Sequence, residues 1–417
     1  MRFLLLCLFF SVVMVFTSLS QIDLSKEVFA PSYGNTDAFR PCIAFGKDVY
    51  LLVWQAGRNE QADIVGVRLD KSGLVMDKEP FVISSAQDSQ EQPRVAFGGG
   101  VFFVVWHDLR NGKDWDVYGV RVTCDGKVLE PGGIAIGVGE RNQCEPDVCW
   151  DGKNFQVLWR GMQGDKSEAP GLSTLPSAGY HIFGARVSSQ GKILDETPVL
   201  IAKPPREYQT PRGMGKPSAI CLSEGHLLCA ARSGHQMCVW RIVDGKPAND
   251  ITLLTKCKGF DYPAFASNGK VPLLVWTTFR DGGGRSSGAG NFGMLLVNPE
   301  MSLATAEPSS ISSMGKNALV KHPVAVWDGK RYIVIWTSPQ LDRKKIPYEA
   351  IMMRFFAEDG TALENDVTVV NEPSSPAYLP TASSDGCGTT IIAYERHPPD
   401  GNQPVRIGIR ILSSKQK

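Results

Sequence analysis

The chain has 417 residues, with 44 Lys and Arg against 43 Asp and Glu, for a net charge of +1. That balance leaves no electrostatic footprint for nucleic acid. Short basic pieces such as Arg343-Lys344-Lys345 read as solvated loop charge.

In chain order, the first element is an export signal over residues 1–20. Arg2 is its basic start, residues 3–15 are its apolar stretch, and Ser18-Leu19-Ser20 offers small residues for cleavage. The apolar run is short for a membrane span, which favours a cleaved signal over the alternative of an uncleaved anchor. Cys7 lies inside that run, so no lipoprotein cysteine follows it. No later stretch has the length and apolarity to cross a bilayer. The mature chain, 21–417, is expected to be one soluble domain, exported to the periplasm or secreted, and monomeric. Nine cysteines remain after cleavage, an odd number, in a compartment that oxidises thiols. No Cys-x-x-Cys spacing occurs, so no structural zinc is expected. No cofactor or metal is expected from any other motif.

The rest of the chain is organised by a repeated spacing of a proline, twelve residues, then a tryptophan. Pro41 leads to Trp54, Pro93 to Trp106, Pro146 to Trp159, Pro263 to Trp276 and Pro323 to Trp336. Pro217 and Pro380 fit the frame with the tryptophan replaced by Ala230 and by Ala393, the latter beside Tyr394. A period near fifty residues marks a propeller or similar array.

The second unit shows the plan. A strand opens at Pro93, Gly98-Gly99-Gly100 turns the chain, and residues 101–106 form a strand apolar on both faces. A polar loop follows, then a third strand over 116–122, a tight turn at Asp125-Gly126, and a short fourth strand at 134–136. Phe45, Phe97, Trp150 and Trp327, each four after its proline, are placed to pack between neighbouring sheets. The third strand carries Gly-x-Arg at Gly66/Arg68, Gly119/Arg121, Gly184/Arg186 and Gly408/Arg410. Helical periodicity is absent. The predicted fold is all-β: a seven-bladed propeller of four-stranded antiparallel blades starting near 41, 93, 146, 217, 263, 323 and 380. Each proline is predicted to open an innermost strand, where no ladder donor is needed. The last unit lacks a fourth strand, and residues 27–30 are predicted to supply it by pairing with 405–412, which removes an exposed edge.

The chain resembles uncharacterised exported bacterial β-propeller repeat proteins. The resemblance rests on Val-Ala-Phe-Gly at 95–98, Val-Val-Trp-His-Asp-Leu-Arg at 104–110 and Asp-Val-Tyr-Gly-Val-Arg at 116–121. It implies a fold and an exported location, and no reaction.

Residues common to most blades serve the fold, whereas an axial site needs different groups from different blades. The tryptophans are therefore structural. Arg58, Arg110 and Arg280 are expected to latch adjacent blades, pairing with the recurring acids Asp63, Asp116 and Glu349. Two loops break the pattern by their length, at 161–178 and 281–290. Polar groups near that face are the candidate ligand-binding residues: His107, Asp108, Arg160, Arg280, Asp281, Glu395, Arg396 and His397. Four cysteines fall in the fourth unit, at Cys221, Cys229, Cys238 and Cys257. Cys229 and Cys238 are equidistant from Ser233-Gly234 and are expected to face each other, as a disulfide or as two small buried thiols.

Catalytic signatures are weak. The segment Ser383-Ser384-Asp385-Gly386-Cys387-Gly388-Thr389-Thr390 departs from the sialidase turn motif Ser-x-Asp-x-Gly-x-Thr-Trp, lacking its glycine and aromatic. Asp108, Asp281 and Glu395 supply acids, but their separation is not set by sequence. Three readings follow. One is a binding or scaffolding module for a glycan or an envelope protein. The others are a carbohydrate-active hydrolase or lyase, and a purely structural extracellular protein.

Overall fold

The computed structural model describes residues 22–58, 61–162, 179–205, 213–248, 252–279, 289–297, 309–310, 320–341, 347–363, 368–372, 375–399 and 401–414. The chain forms seven four-stranded antiparallel blades arranged in a ring, with no helix among the described residues. Blades 1, 2 and 3 are regular meanders whose innermost strands are Ala38–Gly46, Gln90–Gly98 and Gln143–Trp150. Blades 4 and 5 share one long strand, Thr252–Ser267. It pairs with Gln236–Val243 of blade 4 at one end and with Pro272–Phe279 of blade 5 at the other. Lys321–Trp327 opens blade 6 and Ala377–Ser384 opens blade 7.

Val28–Phe29 pairs with Ile409 and Gly408 of the last long strand, Arg406–Ser414. Ile22–Leu24 extends the pairing to Ser414 and Leu412. The N-terminal segment thus completes blade 7 and closes the ring, as expected from the missing fourth strand.

The core is divided among the blade interfaces. Seven apolar clusters each draw on two neighbouring blades. Trp54, Trp106, Trp159, Trp276 and Trp336 each fill one interface and are fully buried. Truncating any of them to alanine carries the usual large-to-small core cost of about 3–5 kcal/mol. The rings four residues after the prolines pack across these interfaces. A Cβ added to Gly46 would strike the Phe97 ring, and one added to Gly98 would strike Trp150. Glycine is required at both hairpins by that close approach.

The prolines do not open the strands, as sequence spacing suggested. In blades 1 and 2 the strand begins three residues earlier, and Pro41 and Pro93 lie inside it. Each sits in a β-bulge. In blade 1 Phe39 opposes Gln55 and Cys42 opposes Val53, so Arg40 and Pro41 together face Trp54. The same two-against-one step recurs in blades 2, 3, 5, 6 and 7. Proline is tolerated there because the bulged residue makes no ladder bond. The proline-to-tryptophan spacing therefore measures one hairpin, from the bulge to the ring opposite it.

In blades 4 and 7 the frame slips by one residue. Ser218 pairs with Ala230 and Thr381 with Ala393, each where the residue before the aromatic should stand. The true counterparts of the tryptophans are Ala231 and Tyr394. Tyr394 is fully buried, and in blade 4 Trp240 from the next strand joins Ala231 in the interface.

The blade 4 hairpin turns one residue later than expected. Ser233 pairs with Gln236, so Cys229 faces Trp240 and Cys238 faces Ala231. The two cysteines are diagonal neighbours on one face, where Cα atoms lie about 7–8 Å apart. A disulfide needs about 4.4–6.8 Å. Burial raises the pKa of both thiols, that of Cys238 to about 12. Both are expected to be recovered as free thiols when the unreduced protein is denatured and alkylated. A linked 229–238 peptide would show that the register is wrong.

The arginine latches also differ from expectation. Arg110 pairs with Asp108 at 2.6 Å in its own blade, and Arg58 with Asp37 at 3.6 Å. Asp116 instead accepts from Asn111 and the Gly139 N–H, and Glu349 pairs with Lys321. Arg280 lies outside the described residues. The Gly-x-Arg arginines take the latch role. Arg68, Arg121 and Arg186 pair with Asp77, Glu130 and Asp195, and Arg121 also donates to the Ser189 carbonyl of blade 3 at 3.1 Å.

Candidate functional site at the ring axis

The bulges place a tier of side chains on the axis. The residues immediately before the seven prolines are Arg40, Gln92, Glu145, Lys216, Tyr262, His322 and Leu379. All seven line one cavity of about 280 Å³. The residues immediately after the prolines line it too, among them Arg94 and Asp147. A wall drawn from every innermost strand puts this cavity on the ring axis.

The backbone of this tier is unusual. Arg40, Gln92, Glu145, Tyr262, His322 and Leu379 have φ between 49° and 59°. Non-glycine residues seldom adopt that left-handed conformation, which costs about 1–3 kcal/mol and clusters at functional sites. Lys216 is the exception, because the blade 4 strand starts only at Ser218. The ring thus repeats one strained backbone shape while presenting a different side chain from each blade.

The left-handed turn frees a backbone N–H, which the preceding blade captures. Arg40 N–H donates to Glu395 Oε1 at 2.9 Å, Gln92 N–H to Gln55 Oε1 at 3.4 Å, and Glu145 N–H to His107 Nδ1 at 3.2 Å. Gln55, His107 and Glu395 each directly follow the ruler aromatic of their blade. His107 accepts through Nδ1, so its ring proton sits on Nε2, 3.9 Å from Glu91.

Among the sequence-derived candidates, Arg160 lines the cavity. It is paired with Glu145 and stacked 4.1 Å over Tyr180. His107 and Glu395 stand behind the wall and hold its backbone. His397 bonds Glu395 at 3.1 Å and packs edge-on against Tyr378. Asp108 is buried away from the cavity, accepting from Trp106 Nε1 and clamped by Arg110. Arg396 points to the opposite face of its strand, to Glu27 at 3.3 Å. Arg280 and Asp281, with residues 163–178 of the first long loop, lie outside the described residues. Gln92, Arg94, Asp147, Lys216, Tyr262 and His322 were not singled out by sequence reasoning. Their signal was the variety of residues before an otherwise constant proline.

The charges in the cavity perturb one another. Burial would raise the Glu145 pKa, but the Arg160 charge and hydrogen bond hold it below the usual carboxylate range. Asp147 is pushed up by burial, only partly offset by Lys216, Arg94 and the Ala219 N–H, which donates to it at 3.1 Å. Burial and then Arg94 bring Lys216 down to about 7, against the pull of Asp147 and Glu145. Burial, then Arg40, Lys321 and Lys216, bring His322 down to about 3, so its imidazole is neutral. It stacks edge-on with Tyr262 at 4.3 Å.

No protein-family model and no curated protein matches the chain. Solved structures match it as a fold. A protein of unknown function from Dyadobacter fermentans is 13% identical and covers 94% of this chain and 99% of its own, with a TM-score of 0.53. An α-L-arabinanase from Penicillium chrysogenum is 12% identical, covers 93% and 98%, and scores 0.47. The hemagglutinin-neuraminidase ectodomain of parainfluenza virus 5 is 8% identical, covers 94% and 87%, and scores 0.49. At such identities the likeness concerns the fold alone.

Proposed function

We propose that the protein is an exported binding propeller whose site is the axial cavity and whose ligand is a saccharide. One observation carries this reading. Six of the seven pre-proline residues share a costly backbone conformation, yet their side chains are all different. A shape kept for the fold alone would need no such variety, whereas an axial site requires it. The wall combines hydrogen-bonding groups of both signs with the flat faces of Tyr262 and the prolines. That mixture suits a hydroxyl-rich ligand with apolar faces. The cavity is small by the standard of ligand sites, roughly 300 Å³ and upward, and fits a single sugar unit or a chain end.

A glycan-array screen of the purified protein tests this. Any bound glycan is expected to lose at least tenfold in affinity on Tyr262→Ala, with the melting temperature nearly unchanged. Binding indifferent to both Tyr262→Ala and Arg94→Ala would remove the axial site.

A hydrolase reading is favoured by one further feature. Glu145 and Asp147 share the cavity, and their surroundings push their pKa values apart, down for Glu145 and up for Asp147. Two carboxyl groups in one site whose surroundings separate their acidities in this way is the pattern that acid–base chemistry on a glycosidic bond uses. Turnover of chromogenic glycosides, lost on Asp147→Asn, would establish it over simple binding.

A further inference from the structure

Resting on the axial cavity as the site, we propose that its ligand is an acidic saccharide whose carboxylate is held by Arg40 and Arg94 beside Lys216. The charge balance of the wall leads there. Among the described residues of the wall, Arg40, Arg94, Arg160 and Lys216 face two carboxylates, Glu145 and Asp147. Glu145 is committed to Arg160. Among the described residues, Arg40 and Arg94 make no ion pair. Arg94 spends one donor on the carbonyl of Pro93 at 3.0 Å, out of the five a guanidinium carries. Glu395, the acid next to Arg40, is engaged with the Arg40 backbone N–H and with His397.

These cations also converge. Arg94 presses on Lys216, and Arg40 and Lys216 both press on His322. The four groups come from blades 2, 4, 1 and 6, so ring geometry alone brings them together. Like charges gathered in a buried space raise the energy of the empty site, and an entering anion lowers it. Guanidinium groups suit the task because they are weakly hydrated and bind a carboxylate through two parallel hydrogen bonds. Tyr262 and the proline rings then serve the apolar face of the sugar.

Titration calorimetry at low ionic strength tests the proposal. The probes are glucuronate, galacturonate and N-acetylneuraminate, with glucose and galactose as neutral counterparts and inorganic sulfate as a bare anion. At least one acidic sugar is expected to bind ten times or more tightly than its neutral counterpart. Arg94→Ala and Arg40→Gln are each expected to weaken it at least tenfold, and Arg94→Lys to restore only part. Equal binding of neutral and acidic sugars, both lost on Tyr262→Ala, would overturn the anionic ligand while leaving the axial site. Sulfate binding as tightly as the acidic sugars would overturn the saccharide. Failure of every acidic sugar to bind, with the variants folded, would overturn the proposal outright. Binding untouched by any axial substitution would instead remove the axial site itself.

Discussion

Replacing Glu27 with alanine is expected to cost about 3–5 kcal/mol of stability, the penalty for leaving a buried charge without its partner. Glu27 directly precedes the strand that closes the ring. Its side chain is 6% exposed, and Arg396, 3.3 Å away, is 9% exposed. The same carboxylate accepts from the Tyr394 hydroxyl at 2.5 Å. Burial first, and then the Glu27 charge, hold that phenol far above its ordinary pKa. Tyr394 is the blade 7 counterpart of the repeated tryptophans, so one carboxylate ties the N-terminal strand to the last interface. Hydrophobic burial is not what holds the strand. Val28 and Phe29 are 44% and 46% exposed. Phe29→Ala is accordingly expected to cost under about 1 kcal/mol, in the range of surface substitutions. Denaturant unfolding of the two variants decides the matter. A larger loss for Phe29→Ala than for Glu27→Ala would mean that the seam is held by apolar contact.

The ring was legible in the sequence because its period is fixed by a backbone event. Outside blade 4 each proline marks a bulge, and the aromatic ring opposite fills the space there, so their separation records the length of one hairpin. Where the hairpin gains a residue the record slips by one, as at Ala231 and Tyr394. Sequence spacing alone does not show that slip, because Ala230 and Ala393 fit the frame equally well. The same blindness shifts the Cys229–Cys238 register. The Ser233-Gly234 pair allows the turn centre to move by one residue, and only pairing of the flanking strands fixes it.

The site was less legible for a different reason. Residues before proline are ordinarily extended, so Arg40, Gln92, Glu145, Tyr262 and His322 read as plain strand positions. Their left-handed φ turns them out of the sheet alternation and toward the axis. His107 and Glu395 drew notice because their identity differs between blades, but their hydrogen bonds are nearly the same in each. They differ in chemistry while serving a common structural role. The pre-proline residues differ in chemistry with no such shared bond from their side chains, and that distinction exists only in the folded ring.

Lys216→Met is expected to abolish a rise in stability with pH that the wild-type protein shows above neutrality. In an unfolded chain a lysine titrates near 10.4, whereas in the folded cavity Lys216 titrates at about 7. Between these values the unfolded state holds more protons, so the contribution of this residue to stability increases as pH rises. At about 1.4 kcal/mol per unit, the gain from pH 7 to 9 is on the order of 2 kcal/mol. The groups facing Lys216 are Arg94, which lowers its pKa further, and Asp147, Glu145 and Cys42, which oppose that. His322 also lies within its field. The buried thiols Cys149 and Cys229 act in the other direction. Their pKa values are raised on folding, so they lower stability once unfolded thiols ionise, above about pH 8.5. The difference between wild type and variant cancels that contribution. Denaturant unfolding at pH 6, 7, 8 and 9 should show this difference moving in favour of the wild type as pH rises. A difference independent of pH would mean that Lys216 keeps an ordinary pKa and is in contact with solvent. An anion held beside Lys216 would raise its pKa again. Binding of an acidic sugar at pH 8 should therefore take up protons, measurable as a dependence of the calorimetric heat on the ionisation enthalpy of the buffer.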